Sequence, residues 1–376
     1  MRLIKSLTAT GCGSMPRPSA RTEELGMAPN GFSRRAALTL GGGVAAGLAA
    51  PPFRRVRAAE VLHVNTWGGI WERAAIKNLF EPFTRDTGVE IRPVSPVSFA
   101  KLAQQVRSGA YEFDVTTLGA GEIIRANQAN LLEKLDNTDL VKNPPFLGAA
   151  FQNGASSHAF ATVIAYQKAK YPNGGPQNWA DFWNLQKFPG SRCMQRYAAR
   201  ILPIALVADG VPMDKLYPLD INRAFASLDK IKPAVRTWWT QGQQSQQLLR
   251  DGEIDCIALW HARTLELIDQ NQPVEIVWNQ AEIERAYWVV ARGTPNRDNA
   301  LRYLEASVKP ERVAGFCRDS ANGPLNPAAF NFLSEAEAAR MPTAPAYRGK
   351  VFEQDILNFG GDVNAATQRF ERWIGT

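Results

Sequence analysis

The side chains that most often carry catalysis are sparse and scattered in this chain. Histidine occurs three times, at His63, His158 and His261, with no His-x-x-x-His pair that could face a metal from one turn of helix. Cys193, Cys256 and Cys317 lack the Cys-x-x-Cys spacing of redox and zinc sites. Neither a Gly-x-Ser-x-Gly elbow nor a P-loop is present. Gly119-Ala120-Gly121 begins like a dinucleotide fingerprint but lacks the third glycine. These gaps point to binding without chemistry: no catalytic residue, no metal site and no cofactor is expected.

The positive signal is aromatic. Trp67, Trp71, Trp239, Trp260 and Trp288 fall at or near loop tips and strand ends, where indole faces can grip apolar or cationic groups. Glycines stand beside them, at Gly68 and Gly69 and at Gly119, and would let a ligand approach the backbone. Arg196 and Arg263 are the candidate charges: a guanidinium there suits a carboxylate, held by two parallel hydrogen bonds if the planes allow. They could equally pair with acids outside a pocket, such as Asp255 or Glu266.

The elements that must position these residues alternate. Val61–Thr66 reads as a strand ending at Trp67-Gly68-Gly69. Ala75, Ile76, Leu79, Phe80 and Phe83 then fall at helical spacing, and Thr87-Gly88 closes that helix. A strand at 89–91, a helix around Phe99–Val106 and a strand at 114–118 follow. This is βαβ order, which predicts an α/β fold with ligands at the carboxyl ends of the strands. Further on, Asn178 caps a helix, 191–196 is a basic strand, 198–208 a helix, and 254–260 a buried strand ending in Trp260-His261-Ala262-Arg263. Residues 274–278 and 286–290 read as two more strands.

The chain has 376 residues and a formal charge of +7, which by itself suggests an anionic partner. The charge is localised. Residues 1–58 hold nine Lys/Arg against two acids, and the remainder balances 34 bases with 34 acids, so no nucleic-acid partner is expected. Arg34-Arg35 precedes a Gly/Ala-rich, weakly apolar stretch too short to span a bilayer, in the manner of a twin-arginine export signal. Val56-Arg57-Ala58 supplies small residues for cleavage, placing the mature start near Ala59. Met15 or Met27 could equally be the start. The product is expected to be soluble and exported, and its odd number of cysteines leaves at least one thiol unpaired.

The order of several motifs carries a resemblance. Trp67-Gly68-Gly69, Phe83 to Gly88, Phe113-Asp114-Val115, Asn178 to Trp183, Trp239, Gly252-Glu253-Ile254, Trp260 to Arg263, Tyr287-Trp288 and Asn322 to Asn326 together resemble periplasmic solute-binding proteins of ABC importers, in particular the spermidine/putrescine-binding branch. The similarity runs over 60–376. It implies an α/β, type II periplasmic binding protein fold of two lobes closing on a ligand. Lobe one is expected from 59–158 plus 284–322 and lobe two from 159–283 plus 323–376, with crossings near 159–163 and 279–285. It also implies a periplasmic monomer that takes a small-molecule ligand, works with an inner-membrane ABC permease and reaches the periplasm through the twin-arginine machinery. The expected ligand contacts are Trp67, Gly68, Gly69, Trp71, Leu118, Gly119 and Ala120 from the first lobe. Arg196, Tyr197, Trp239, Gln241, Trp260, His261, Arg263 and Trp288 complete the set. Polyamine binders use carboxylates for the ammonium groups, whereas the segments named here offer arginines. A carboxylate-bearing ligand is therefore expected, with a polyamine still open if Glu122 or Asp181 faces the cleft. Metal capture of the ferric type, which commonly uses paired tyrosines, is not expected. Two other readings remain: an exported α/β enzyme, and a ligand-sensing protein that feeds a receptor.

Overall fold

A computed structural model describes residues 60–375; the expected export leader and cleavage point lie outside the described residues. The first region opens with β1 (Val61–Asn65), α1 (Gly69–Ala75), a π-helical turn (Ile76–Phe80), α2 (Glu81–Thr87) and β2 (Glu90–Val94). Next come α3 (Phe99–Ser108), β3 (Val115–Gly119), α4 (Ala120–Gln128) and the short α5 (Asp139–Lys142). As the sequence implies, α2 ends at Gly88, whose φ of 74° lets its N–H turn back to the Thr84 carbonyl at 2.8 Å. Ser98 caps α3 by accepting from the Lys101 N–H.

A short β4 (Ala150–Phe151) leads into β5 (Gly154–Gln167), a 14-residue strand. Beyond it lie α6 (Trp179–Trp183), β6 (Arg192–Gln195), α7 (Ala198–Ala208) and α8 (Ile221–Ile231). The second region ends with β7 (Val235–Trp239), α9 (Gly242–Arg250), β8 (Cys256–Trp260), α10 (His261–Asp269) and β9 (Val274–Val290). Asn178 caps α6 as expected, accepting from the Asp181 N–H at 2.8 Å.

One mixed sheet runs in the order β2-β1-β3-β9-β5-β8-β6-β7. Its flanks are parallel pairs, β1 with β2 and β6 with β7 and β8. Its middle is the long antiparallel pair of β5 and β9. The two strands expected at 274–278 and 286–290 are one. The alternation breaks because residues 278–281 bulge out between the pairs Ile164↔Val277 and Thr162↔Glu282. Gln280, with φ 62°, uses the bulge to hold Trp179, accepting from its backbone N–H at 3.0 Å and from its indole N–H at 2.7 Å. Both expected crossings, 159–163 and 279–285, fall within these two strands.

The C-terminal chain comprises α11 (Arg297–Ser307), α12 (Pro310–Ser320), β10 (Gly323–Pro324), a 3-10 helix at Pro327–Phe332, α13 (Glu335–Ala338), β11 (Phe352–Glu353) and α14 (Val363–Gly375). Residues 323–376, expected with the second region, divide between two cores. Ala329 and Met341 join the core of α1, α12 and β1, because β10 pairs with β5 and the Asn326 amide donates to the Val308 carbonyl at 2.9 Å. Phe352, Ile356, Phe359 and Phe370 instead join the core of α7 and α8. All three cysteines in the described residues are free and buried. Cys193 lies beside Ile257 and Cys256 beside Arg192 in register, so their side chains leave opposite faces of the sheet and cannot meet. Burial pushes both thiols up to about 12.

Candidate functional site

Strand register decides which residues meet. Phe160 of β5 pairs with Glu284 of β9, and Thr162 with Glu282. Thr162 also pairs with Trp260 at the end of β8, and Gly119 at the end of β3 pairs with Ala286. The carboxyl ends of β3, β6 and β8 therefore converge on the middle of the antiparallel pair. Each of them feeds directly into a helix: α4, α7 and α10. Helix N-termini carry unsatisfied N–H groups and the positive end of the peptide dipoles.

Arg200, in the first turn of α7, donates to Glu284 at 2.6 Å, and both side chains are nearly buried. Three aromatic faces surround the guanidinium, Phe160 at 4.6 Å, Tyr197 at 5.2 Å and Trp260 at 5.6 Å. Tyr197 and Trp260 lie nearly parallel, 25° apart, with ring centroids at 6.4 Å. Glu122, at the third position of α4, accepts from the Gly119 N–H at 3.3 Å. Burial raises the Glu122 carboxyl above the usual range, against the Gly119 hydrogen bond that lowers it, and the nearby Glu284 raises it further. A Cβ on Gly119 would stand 2.0 Å from the Glu284 Oε1, so glycine is needed for this close approach. Glycine at 242 plays the same part for Trp260, whose ring would lie 2.8 Å from an added Cβ.

Among the expected contacts, then, the structure brings together Gly119, Tyr197 and Trp260, with Ala120 beside them at the start of α4. Trp67 is 54% exposed after β1, and Gly68 and Gly69 take φ of 70° and 60° as α1 begins. Gln241 is exposed ahead of α9. The other nominated side chains lie apart from this group or engage protein partners. Trp71 and Trp288 pack on each other, ring centroids 5.4 Å apart, inside the core of the first region. Leu118 is core. Trp239 is buried behind Trp260, its indole N–H donating to the Ala258 carbonyl at 3.0 Å. The His261 Nδ1 accepts from the Ala161 N–H at 3.0 Å and its Nε2 faces the Ala321 carbonyl at 2.5 Å, while burial pulls the imidazole down to about 4. Arg196 pairs with Glu371 at 2.5 Å and Arg263 with Glu266 at 3.2 Å. Asp181 stays at the α6 cap beside Lys187.

Sequence reasoning missed Phe160, Thr162, Gln195, Arg200, Glu282 and Glu284. The available signal was Glu282-Ile283-Glu284, two like acids at period two inside a strand. That spacing puts both on one face. A surface cavity of about 500 Å³, lined by residues such as Asn127, Glu133 and Arg292, shares no residue with this group. Paired, nearly buried charges between aromatic faces make this group the site candidate on chemical grounds. Among the described residues no group of His, Cys, Asp and Glu is placed to hold a metal ion, and no helix is long and apolar enough to cross a membrane.

The family model for bacterial extracellular solute-binding proteins matches residues 78–346. The chain belongs to this family. It is 30% identical over 322 residues to a gamma-aminobutyric acid-binding protein of Pseudomonas aeruginosa, covering 84% of this chain and 91% of that one. An ABC transporter substrate-binding protein of Bradyrhizobium japonicum superposes with a TM-score of 0.80 at 31% identity, covering 84% and 99% of the two chains. The solved structure of a GABA receptor superposes at 0.75 with 27% identity, covering 84% and 98%. The fold is thus that of the periplasmic binding proteins, as the motif order implied. The function is capture of a small organic solute as the substrate-binding component of an ABC transporter, working with a membrane permease. Family members bind rather than transform their ligands, and the family assignment implies a periplasmic location.

Proposed function

We propose that this solute-binding protein captures a small zwitterion of the γ-aminobutyrate type, one carboxylate and one ammonium separated by a short apolar chain. The observation that carries the reading is the nearly buried Arg200–Glu284 pair set among Phe160, Tyr197 and Trp260. One cation and one carboxylate, 2.6 Å apart, offer a separate partner for each end of such a ligand. The ligand carboxylate takes the guanidinium, the ammonium takes Glu284, and the methylenes lie against the rings. A buried ion pair that opens onto a ligand keeps both charges compensated, which limits the desolvation cost. The names of the relatives point the same way, toward γ-aminobutyrate instead of a polyamine. A dicationic polyamine would meet Arg200 as a like charge.

In this reading the protein is a monomer of two lobes, roughly 59–158 with 284–322 and 159–283 with part of the C-terminal chain. β5 and β9 act as the hinge, and the lobes close on the ligand. Trp67 forms the rim. Export through the twin-arginine machinery delivers the chain to the periplasm, with cleavage near Ala58.

A thermal-shift comparison tests the ligand class. With γ-aminobutyrate at about 100 times its Kd, the mature chain gains on the order of 2.7 kcal/mol of apparent stability, while putrescine and spermidine leave the melt unmoved. A shift by polyamines and none by γ-aminobutyrate overturns the reading.

A further inference from the structure

Glu282 lies two residues from Glu284 on the same face of β9, fully enclosed by protein. Its hydrogen bonds have a readable direction. Arg200 donates to the Gln195 Oε1 at 3.4 Å, which orients that amide. The Gln195 Nε2 donates to the Thr162 Oγ1 at 2.6 Å. Thr162 has one hydroxyl hydrogen, and it goes to the Glu282 Oε2 at 3.0 Å. Oε2 is therefore an acceptor, and only Oε1 can carry an acid proton. Oε1 is buried without a hydrogen-bond partner, and the Tyr217 hydroxyl lies near this carboxyl.

The charges around Glu282 come from every neighbouring element. Glu284 faces it along β9, and Arg200 faces it from α7. Tyr217 faces it from the chain ahead of α8, with Asp355 of the C-terminal chain adjoining that tyrosine. Glu122 of α4 stands across Glu284 and Arg200. Thr162 and Gln195 contribute no charge. The single cation is engaged by Glu284 at 2.6 Å, so an ionised Glu282 would be an uncompensated buried charge.

We infer that Glu282 is held as a neutral carboxylic acid and is a positioning residue: through Thr162 and Gln195 it fixes Arg200 while adding no anion of its own to compete with a ligand carboxylate for that guanidinium. Burial pushing its carboxyl up to about 8 agrees with the geometry. Ionisation at alkaline pH adds a second anion, draws Arg200 inward and weakens the hold on a ligand carboxylate. The binding half of this inference rests on the zwitterion reading; the protonation half does not.

The test uses the mature chain and Glu282→Gln, which keeps the shape and cannot ionise. An unfolded glutamate releases its proton near pH 4.3, whereas the folded wild type keeps it up to about 8. Wild-type stability therefore falls as pH rises through that interval, and the fall stops above it. The melting temperature of E282Q relative to wild type should climb by roughly 5 °C or more from pH 5 to pH 8 and then level off. A difference that stays constant across this range overturns the neutral acid. If E282Q does not fold, the infrared carbonyl band of a protonated carboxylic acid in the wild type decides instead: present at pH 7 and lost on raising the pH past 9 supports it, absent at pH 7 overturns it. For the positioning half, the wild-type Kd for γ-aminobutyrate should weaken about tenfold, roughly 1.4 kcal/mol, between pH 7 and pH 9, and that of E282Q should not. Equal pH profiles for the two proteins overturn that role. Failure of the wild type to bind γ-aminobutyrate at pH 7 counts against the zwitterion reading, while the melts still decide the state of Glu282.

Discussion

Two aromatic clusters in this molecule are built from the same residue types at the same kind of position, and only one of them holds charge. In the first region Trp71, Trp288, Phe316 and Tyr303 pack in tilted and edge-to-face contacts with ring centroids near 5.5 Å, and His158 completes the group, its imidazole pulled by burial down to about 3. Beside the long antiparallel pair of β5 and β9, Phe160, Tyr197 and Trp260 stand around Arg200 and Glu284. The first cluster fills its own volume with rings, and Trp71 donates to the His158 Nε2 at 3.4 Å within it. The second spends its aromatic faces on a guanidinium, an arrangement that costs desolvation and gives little stability in return. A protein keeps such a cluster for what it binds.

The sharpest way to break the contrast is at Arg200. Arg200→Met leaves Glu284 nearly buried and alone, which should cost about 3–5 kcal/mol of stability in urea melts, and binding of a zwitterion should be lost beyond detection. Adding Glu284→Gln should restore most of the stability, because an uncharged pair in place of a buried ion pair is close to neutral, yet restore no binding. Recovery of binding by the double variant would mean that the ligand reads other groups. The opposite pattern is expected at Trp288. Trp288→Ala removes a fully buried ring at a cost of about 3–5 kcal/mol, while the fraction that stays folded should bind γ-aminobutyrate with a Kd within about threefold of wild type. A loss of affinity larger than the loss of stability would join the two clusters into one functional unit.

The contrast also explains how much of the molecule was legible in its sequence. The βαβ order, the Gly88 and Asn178 caps and the motif order led to the right fold, since each depends on local spacing or on a residue the backbone geometry requires. Tyr197, Trp260 and Gly119, which the structure brings together, were nominated because strand ends in α/β sheets gather ligands. Trp71, Trp239 and Trp288 were not separable from them, because a tryptophan at a strand terminus looks the same whether its face meets solvent or a second helix. Arg200 was hidden by its place inside a helical run, three residues past Tyr197. Glu282 and Glu284 were hidden by the reading of 274–290 as two strands with a gap, when the strand resumes after a bulge and pairs both residues with β5.

The smallest expected effect is at the two arginines that the sequence nominated. Arg263 is about one-third exposed and pairs with Glu266 one helical turn away, an arrangement worth only a few tenths of a kcal/mol. Arg196 and Glu371 are both about 40% exposed and belong to the same screened class. Arg263→Ala should therefore shift the urea midpoint by less than about 0.5 kcal/mol equivalent and leave the Kd for γ-aminobutyrate within about twofold. Its side chain does lie near Trp260, since a Cβ on Gly242 would come within 3.4 Å of the Arg263 Nε and 2.8 Å of the Trp260 ring. A Kd weakened tenfold with the melt unchanged would therefore place Arg263 behind the wall that Trp260 presents and extend the charged cluster by one member. A null result would confine ligand charge recognition to Arg200 and the carboxyls it faces.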